Sequence, residues 1–234
     1  FAAFSAFEVV KHPVKSVNKL RKSPQDALAG VVLEPQLEAR LRDVAIATKN
    51  TKLNGGMYRN LLFYGPPGTG KSTILREVAA AAGTGVVFVE GNAELTPARL
   101  AGQFDPSRVL EDGYTPDVFV DGPLVEALRH GSLLYVEELN RVPEETVNLL
   151  ITVMSEGELT LPRLGTISAA DGFRLVAAMN PFDNIGTARV SGAVYDRMCR
   201  IAMGYQSLDD ESDIVVRNTS EDDRVLRRRA VAVT

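Results

Sequence analysis

Short apolar runs alternate along this chain with longer stretches in which apolar positions recur every three or four residues. NLLFY (Asn60 to Tyr64), GVVFVE (Gly85 to Glu90), SLLYV (Ser132 to Val136), FRLVAAM (Phe173 to Met179) and RIAM (Arg200 to Met203) predict buried strands. Between them lie helical patterns. One runs through residues 24–53, with Leu37, Leu41, Val44 and Ala45 on one face; others cover Thr73 to Ala82, a helix ending over Val125 to His130, Glu144 to Ser155, and Ala193 to Met198. Asn54-Gly55-Gly56 marks a turn before the first strand, and GELTLPRLGTI (157–167) reads as a hairpin. Strands that alternate with helices imply a parallel sheet joined by right-handed crossovers. From Leu100 to Leu124 the Gly and Pro spacing is irregular, which predicts an insertion or loop region outside the core.

Composition adds exclusions. The 234 residues are 45% hydrophobic and 24% charged, ordinary for a globular domain. Net charge is −4, but residues 1–60 hold ten Lys/Arg against five acids, while Asp209 to Asp223 hold seven acids and one Arg. This balance argues against a broadly basic nucleic-acid binder, leaving only a basic N-terminal arm. A single cysteine, Cys199, excludes an intramolecular disulfide and multi-cysteine metal sites, and a cytoplasmic or other reducing compartment is expected. His12 and His130 lie far apart without ligand spacing; His130 and Cys199 are read as structural. No run reaches the eighteen or so apolar residues of a membrane span. The start at Phe1 in FAAFSAF suggests a packed helix start within a longer or processed chain.

Candidate chemistry begins at Gly65-Pro66-Pro67-Gly68-Thr69-Gly70-Lys71-Ser72, with Thr73 opening the next helix. A strand before and a helix after supply the context of a phosphate-binding loop. Its glycines let backbone N–H groups turn toward phosphate oxygens, and the helix N-terminus adds its positive end. Lys71 is placed for the β- and γ-phosphates and the Ser72 hydroxyl for Mg²⁺, so ATP with Mg²⁺ is the expected ligand. The second element is YVEELN (Tyr135 to Asn140). Its first acid, Glu137, takes the metal role and its second, Glu138, the role of base toward water. Glu137 is one methylene longer than Asp, so it must fold back or displace a shell water, and slow hydrolysis is one expected consequence.

These residues resemble the AAA+ superfamily of ring-forming ATPases. From about Gly91 to Val216 the stretches GQFDP, DGPLVEAL, EELNRVPEETVNLL, MSEGELTLP and FRLVAAMNPFDNIGTARVSGAVYDRM are similar to the MoxR type, with its CbbQ, NorQ and gas-vesicle GvpN relatives. The resemblance implies an insertion in helix 2 near 102–122 and a hairpin before the fourth strand. It makes Asn180 the polar sensor and Arg197 the arginine finger offered to a neighbouring subunit. Where the family usually has Asp, this chain has Glu137. Residues 8–71 instead resemble the mitochondrial inner-membrane AAA-domain-containing protein 3 family, densely and only as far as the phosphate loop, so the chain reads as a mosaic and a mitochondrial setting is open.

The expectation is a P-loop NTPase of α/β class: a three-layer sandwich around a parallel sheet, with the start of a helical lid. Its divisions are an N-terminal extension (1–30), the nucleotide-binding domain (31–205) and a lid segment (206–234). The resemblance implies a self-assembled ring, with a hexamer expected, that remodels a protein partner, one with a von Willebrand factor A domain fitting the MoxR type. The rival is a nucleotide-dependent assembly switch with weak hydrolysis owing to Glu137; a third reading, an ATPase acting on nucleic acid, is disfavoured by the acidic charge. Arg189 is open between a second finger and an internal salt bridge, and Arg227-Arg228-Arg229 between a lid helix and a solvated charge run.

Overall fold

The computed structural model describes residues 33–43, 60–180 and 190–218. Val44 and Ala45, the 54–56 turn, Arg189 and the 227–229 arginines lie outside them. Residues 35–43 are helical. β1 (Asn60–Tyr64) leads into α1 (Lys71–Ala82), which returns the chain to β2 (Val86–Glu90). There follow α2 (Pro97–Ala101), β3 (Gly102–Phe104), α3 (Pro106–Asp112), β4 (Phe119–Asp121), α4 (Pro123–His130) and β5 (Leu133–Glu137). Next come α5 (Glu144–Glu156), β6 (Glu158–Leu161), β7 (Gly165–Ser168) and β8 (Arg174–Met179). α6 (Gly192–Arg197), β9 (Met198–Ala202) and α7 (Leu208–Asn218) complete the described order.

Five strands form one sheet in the order β2-β5-β8-β1-β9, and every neighbouring pair is parallel. Helices cover both faces, and the two-residue period of a strand decides which side chain joins which face. In β5, Leu134 and Val136 enter the cluster built with α4 and α5, while Tyr135 between them enters the cluster with Ile74 and Leu75 of α1. In β8, Leu175, Ala177 and Met179 go one way and Val176 and Ala178 the other. Full burial of a Leu or Val is worth about 1.5–3 kcal/mol, so a one-residue slip of either strand would forfeit several such contributions. The 35–43 helix lays Leu37 on the α1 face, and Arg40 donates to Arg200 O of the edge strand β9 at 3.2 Å.

The stretch Leu100 to Leu124 departs from the sequence expectation. It is built of short regular elements, and Leu100, Val118 and Leu124 are buried in the core. The prolines that suggested a loop stand at the first turns of α3, the 3₁₀ turn Pro116–Val118 and α4, where a missing N–H costs nothing. They open elements rather than break them. β3 and β4 pair antiparallel between α2 and α4, the place of the implied insertion, and β6 pairs antiparallel with β7 as the expected hairpin. No described helix is long and apolar enough to cross a membrane.

Candidate functional site

The loop between β1 and α1 hangs from the ends of two neighbouring strands. Gly65 N donates to Met179 O of β8 at 3.3 Å, and Met203 N, just past β9, donates to Tyr64 O at 2.8 Å. A Cβ on Gly65 would lie 2.0 Å from Met203 O, so only glycine lets the chain pass there. Gly68 and Gly70 are needed for another reason. Their φ values are 79° and 78°, in the left-handed region, with nothing near the place of a Cβ. α1 then begins at Lys71 with no side-chain cap and no acid in its first turn. Its leading N–H groups are the donors an anion would meet.

Lys71 turns its ammonium into this loop, donating to Gly65 O at 2.9 Å, Pro66 O at 2.6 Å and Thr69 Oγ1 at 3.2 Å. Thr69 in turn donates to Pro66 O at 3.0 Å. Burial lowers the Lys71 pKa from the ordinary lysine value, against the opposing charges of Glu138 and Glu137. A phosphate would take over donors that the loop carbonyls now occupy.

The acids lie beside it. Ser72 Oγ donates a short hydrogen bond to Glu137 Oε1. The Tyr135 hydroxyl lies 3.2 Å from the same oxygen and 3.1 Å from Ser72 Oγ. Burial, ahead of the carboxylate charges and against the Ser72 hydrogen bond, pushes the Tyr135 pKa up to about 12, so the phenol keeps its proton at neutral pH. Glu138, the residue after β5, has φ 47° and ψ 48°, a left-handed conformation that costs a non-glycine residue about 1–2 kcal/mol. Its Oε2 is buried without a hydrogen bond, 3.6 Å from Arg141 Nε. Gly91 makes room for this turn: its N–H donates to Glu137 O at 2.8 Å, and a Cβ there would be 2.5 Å from the carbonyls of both acids. Asn140 is buried next to them; its Nδ2 donates to Asn180 O at 3.5 Å and its Oδ1 has no hydrogen bond.

Ser72, Glu137 and Glu138 therefore gather hard oxygen donors at the mouth of the phosphate loop, one carboxylate oxygen buried and without a hydrogen bond. This donor set fits Mg²⁺, which takes few protein oxygens and fills its octahedron with water and phosphate. No cluster of three or more His, Cys, Asp or Glu able to hold a metal occurs among the described residues. Ser72 and Glu137 are the residues that would hold it.

Asn180 directly follows β8, beside the strand end that anchors Gly65. Arg197 is elsewhere. It precedes Met198, which pairs with Asn60 at the start of β1, whereas the phosphate loop leaves β1 after Tyr64. The two are at opposite ends of neighbouring strands, separated by roughly 13 Å of strand. The guanidinium of Arg197 donates to Ser155 Oγ at 2.6 Å and Ala193 O at 3.0 Å. His130 closes α4 with its Nδ1 2.9 Å from Glu126 O, and Cys199 lies in β9, away from the acids. Tyr135, Asn140 and Gly91 escaped the sequence reading. A lone phenol in an aliphatic strand, two residues before an acid and so on its face, was the available signal for Tyr135.

Residues 60–198 match the family model for the AAA domain, dynein-related subfamily. The ATPase family AAA domain-containing protein 3A homolog of Drosophila melanogaster is 40% identical over 135 residues, 58% of this chain and 20% of that protein. The Xenopus tropicalis domain-containing protein 3 is 52% identical over 88 residues, 38% of this chain and 15% of that protein. The human protein 3A is 34% identical over 176 residues, 75% of this chain and 28% of that protein. The chain spans less than a third of the length of each of these relatives. A match of 176 residues cannot fit within 8–71, so this similarity does not stop at the phosphate loop as expected. Among solved structures, a Cytophaga hutchinsonii chain aligns with a TM-score of 0.63 at 20% identity, over 93% of this chain and 61% of that one. A mutant of Thermotoga maritima RuvB gives 0.53 at 18% identity, over 79% and 51%. Both likenesses concern the fold.

Proposed function

From a chain that belongs to the AAA domain family, dynein-related subfamily, and so to the AAA-type ATPases, we propose a domain that binds ATP with Mg²⁺ and hydrolyses it between subunits of a ring to remodel a protein partner. The observation that carries this reading is the junction of Lys71, Ser72 and Glu137 at one loop, with Glu138 next in the chain. Lys71 and the first N–H groups of α1 bind the phosphates; Ser72 and Glu137 hold the metal. Mg²⁺, when bound, would neutralise charge on the phosphate oxygens. Glu138, with a buried oxygen free of hydrogen bonds, orients the attacking water and accepts its proton. Asn180, directly after β8, is the polar sensor between the phosphate and that water, and Arg197 serves a neighbour's site rather than its own.

The finer assignment is to the MoxR type, supported by the β3–β4 insertion between α2 and α4 and by the β6–β7 hairpin before β8. A partner carrying a von Willebrand factor A domain accords with that type, and α7 is the first helix of a lid over 206–234. The second reading, an assembly switch that binds ATP and turns over little, is favoured by one observation: the longer acid, Glu137, sits directly on Ser72. Steady-state phosphate release beside equilibrium ATP binding separates the two. Lys71→Ala is expected to abolish binding, and unchanged affinity would refute the phosphate-loop role.

A further inference from the structure

Glu137 reaches one methylene farther than an aspartate on the same backbone, and its extra rotatable bond must be fixed before the carboxylate can serve as a metal ligand. The strand places the means two residues earlier. Tyr135 and Glu137 share a face of β5, and the phenol closes a triangle with the Ser72–Glu137 pair through contacts of 3.2 and 3.1 Å. Tyr135 is wholly buried, and its ring meets Phe88 edge-on with centroids 5.4 Å apart. Arg76 of α1 lies over Phe88, 4.9 Å from its centroid. Ring rotation leaves the phenol oxygen on its axis, so this packing fixes the oxygen in space. Its single proton has a choice of acceptors, and the carboxylate is the stronger.

We propose that Tyr135 is a positioning residue for the Mg²⁺ ligands: its hydroxyl donates to Glu137 Oε1, holds the extended glutamate on Ser72, and so sets how tightly the nucleotide-loaded site takes the metal. This rests on the nucleotide reading above. A core tyrosine that merely satisfies its hydroxyl would affect stability and leave the metal requirement alone.

Tyr135→Phe removes one oxygen and keeps the ring. With the fluorescent analogue methylanthraniloyl-ADP, Mg²⁺-free affinity is expected to stay within about twofold of the parent. The Mg²⁺ concentration giving half of the metal-dependent gain in affinity is expected to rise about tenfold, the scale of one hydrogen bond to a charged group. In Glu137→Asp the carboxylate falls short of the phenol, so adding Tyr135→Phe there should raise that concentration less than about twofold. Equal rises in both backgrounds, or none on the glutamate background, overturn the proposal. If Tyr135→Phe melts below the assay temperature, the tyrosine near-ultraviolet difference spectrum of the parent decides, titrated with Mg²⁺ at saturating analogue. A change saturating at the same Mg²⁺ concentration supports the proposal and a flat spectrum overturns it. Failure of the parent to bind the analogue overturns the nucleotide reading together with this one; normal binding with an unmoved Mg²⁺ requirement in the phenylalanine variant overturns this one alone.

Discussion

Glu138 combines two costs in one residue, a left-handed backbone and a buried carboxylate oxygen without a hydrogen bond. Both are features of a site in which strain is retained because the group is needed. Glu138→Gln keeps the shape and removes the basic oxygen, so hydrolysis should fall about 100-fold or more while ATP remains bound. Single-turnover cleavage of labelled ATP checks this, and cleavage at the parent rate would move the base role elsewhere. Gly65 illustrates a different residue-scale constraint, since a Cβ there meets Met203 O at 2.0 Å. Gly65→Ala must push β9's exit away from β1 and should cost about 3 kcal/mol or more, a melting point lower by about 6–12 °C. A nucleotide-free thermal melt is the measurement.

Between elements, a cation–π contact joins the insertion to the hairpin. Arg163, at the tip of the β6–β7 hairpin, lies over the Tyr114 ring at 3.7 Å from its centroid, and Tyr114 in turn packs edge-on against Phe104 of β3. Arg163 holds this position with φ 67°, a conformation costing about 1–2 kcal/mol, against the roughly 0.5–1 kcal/mol that such a cation–π contact supplies when exposed. Arg163→Ala loses the stack and keeps the strain, whereas Arg163→Gly loses the stack and relieves the strain. The alanine variant should therefore melt earlier than the glycine variant, with faster amide exchange in β6 and β7. The reverse order of melting points would show that the unfolded-chain entropy glycine adds outweighs the backbone strain it relieves.

At the scale of the molecule, the parallel strands place the phosphate loop and the acids at their C-terminal ends and Arg197 at the N-terminal end of β9. A guanidinium so placed lies away from its own loop, and the function proposed above assigns it to a neighbouring subunit's site. Arg197→Ala should lower turnover about a thousandfold with ATP affinity kept within a few-fold. Mixing it with Glu138→Gln should restore part of the activity, because each variant supplies what the other lacks. Full activity of Arg197→Ala, or no recovery on mixing, would return Arg197 to a structural role through Ser155.

The residues by themselves determined the strand runs, the helix periods and the phosphate loop, because each depends on local chemistry: side-chain periodicity, glycine conformations and the Lys71-Ser72 pair that follows them. β1 spans the predicted Asn60–Tyr64, and α5 lengthens its prediction by a single residue. The segment from Leu100 to Leu124 was misread because Pro and Gly open and close short elements as readily as they end order, and only packing shows that Leu100, Val118 and Leu124 are core. Tertiary structure alone decided the order of strands, and with it which distant residues meet. Ser72 and Glu137 are 65 positions apart and are joined because α1 starts beside the end of β5. The phenol of Tyr135 reaches them because strand alternation turns it to the α1 side while Leu134 and Val136 turn away. Such meetings depend on how faces stack across the sheet, and no window of the sequence contains both partners.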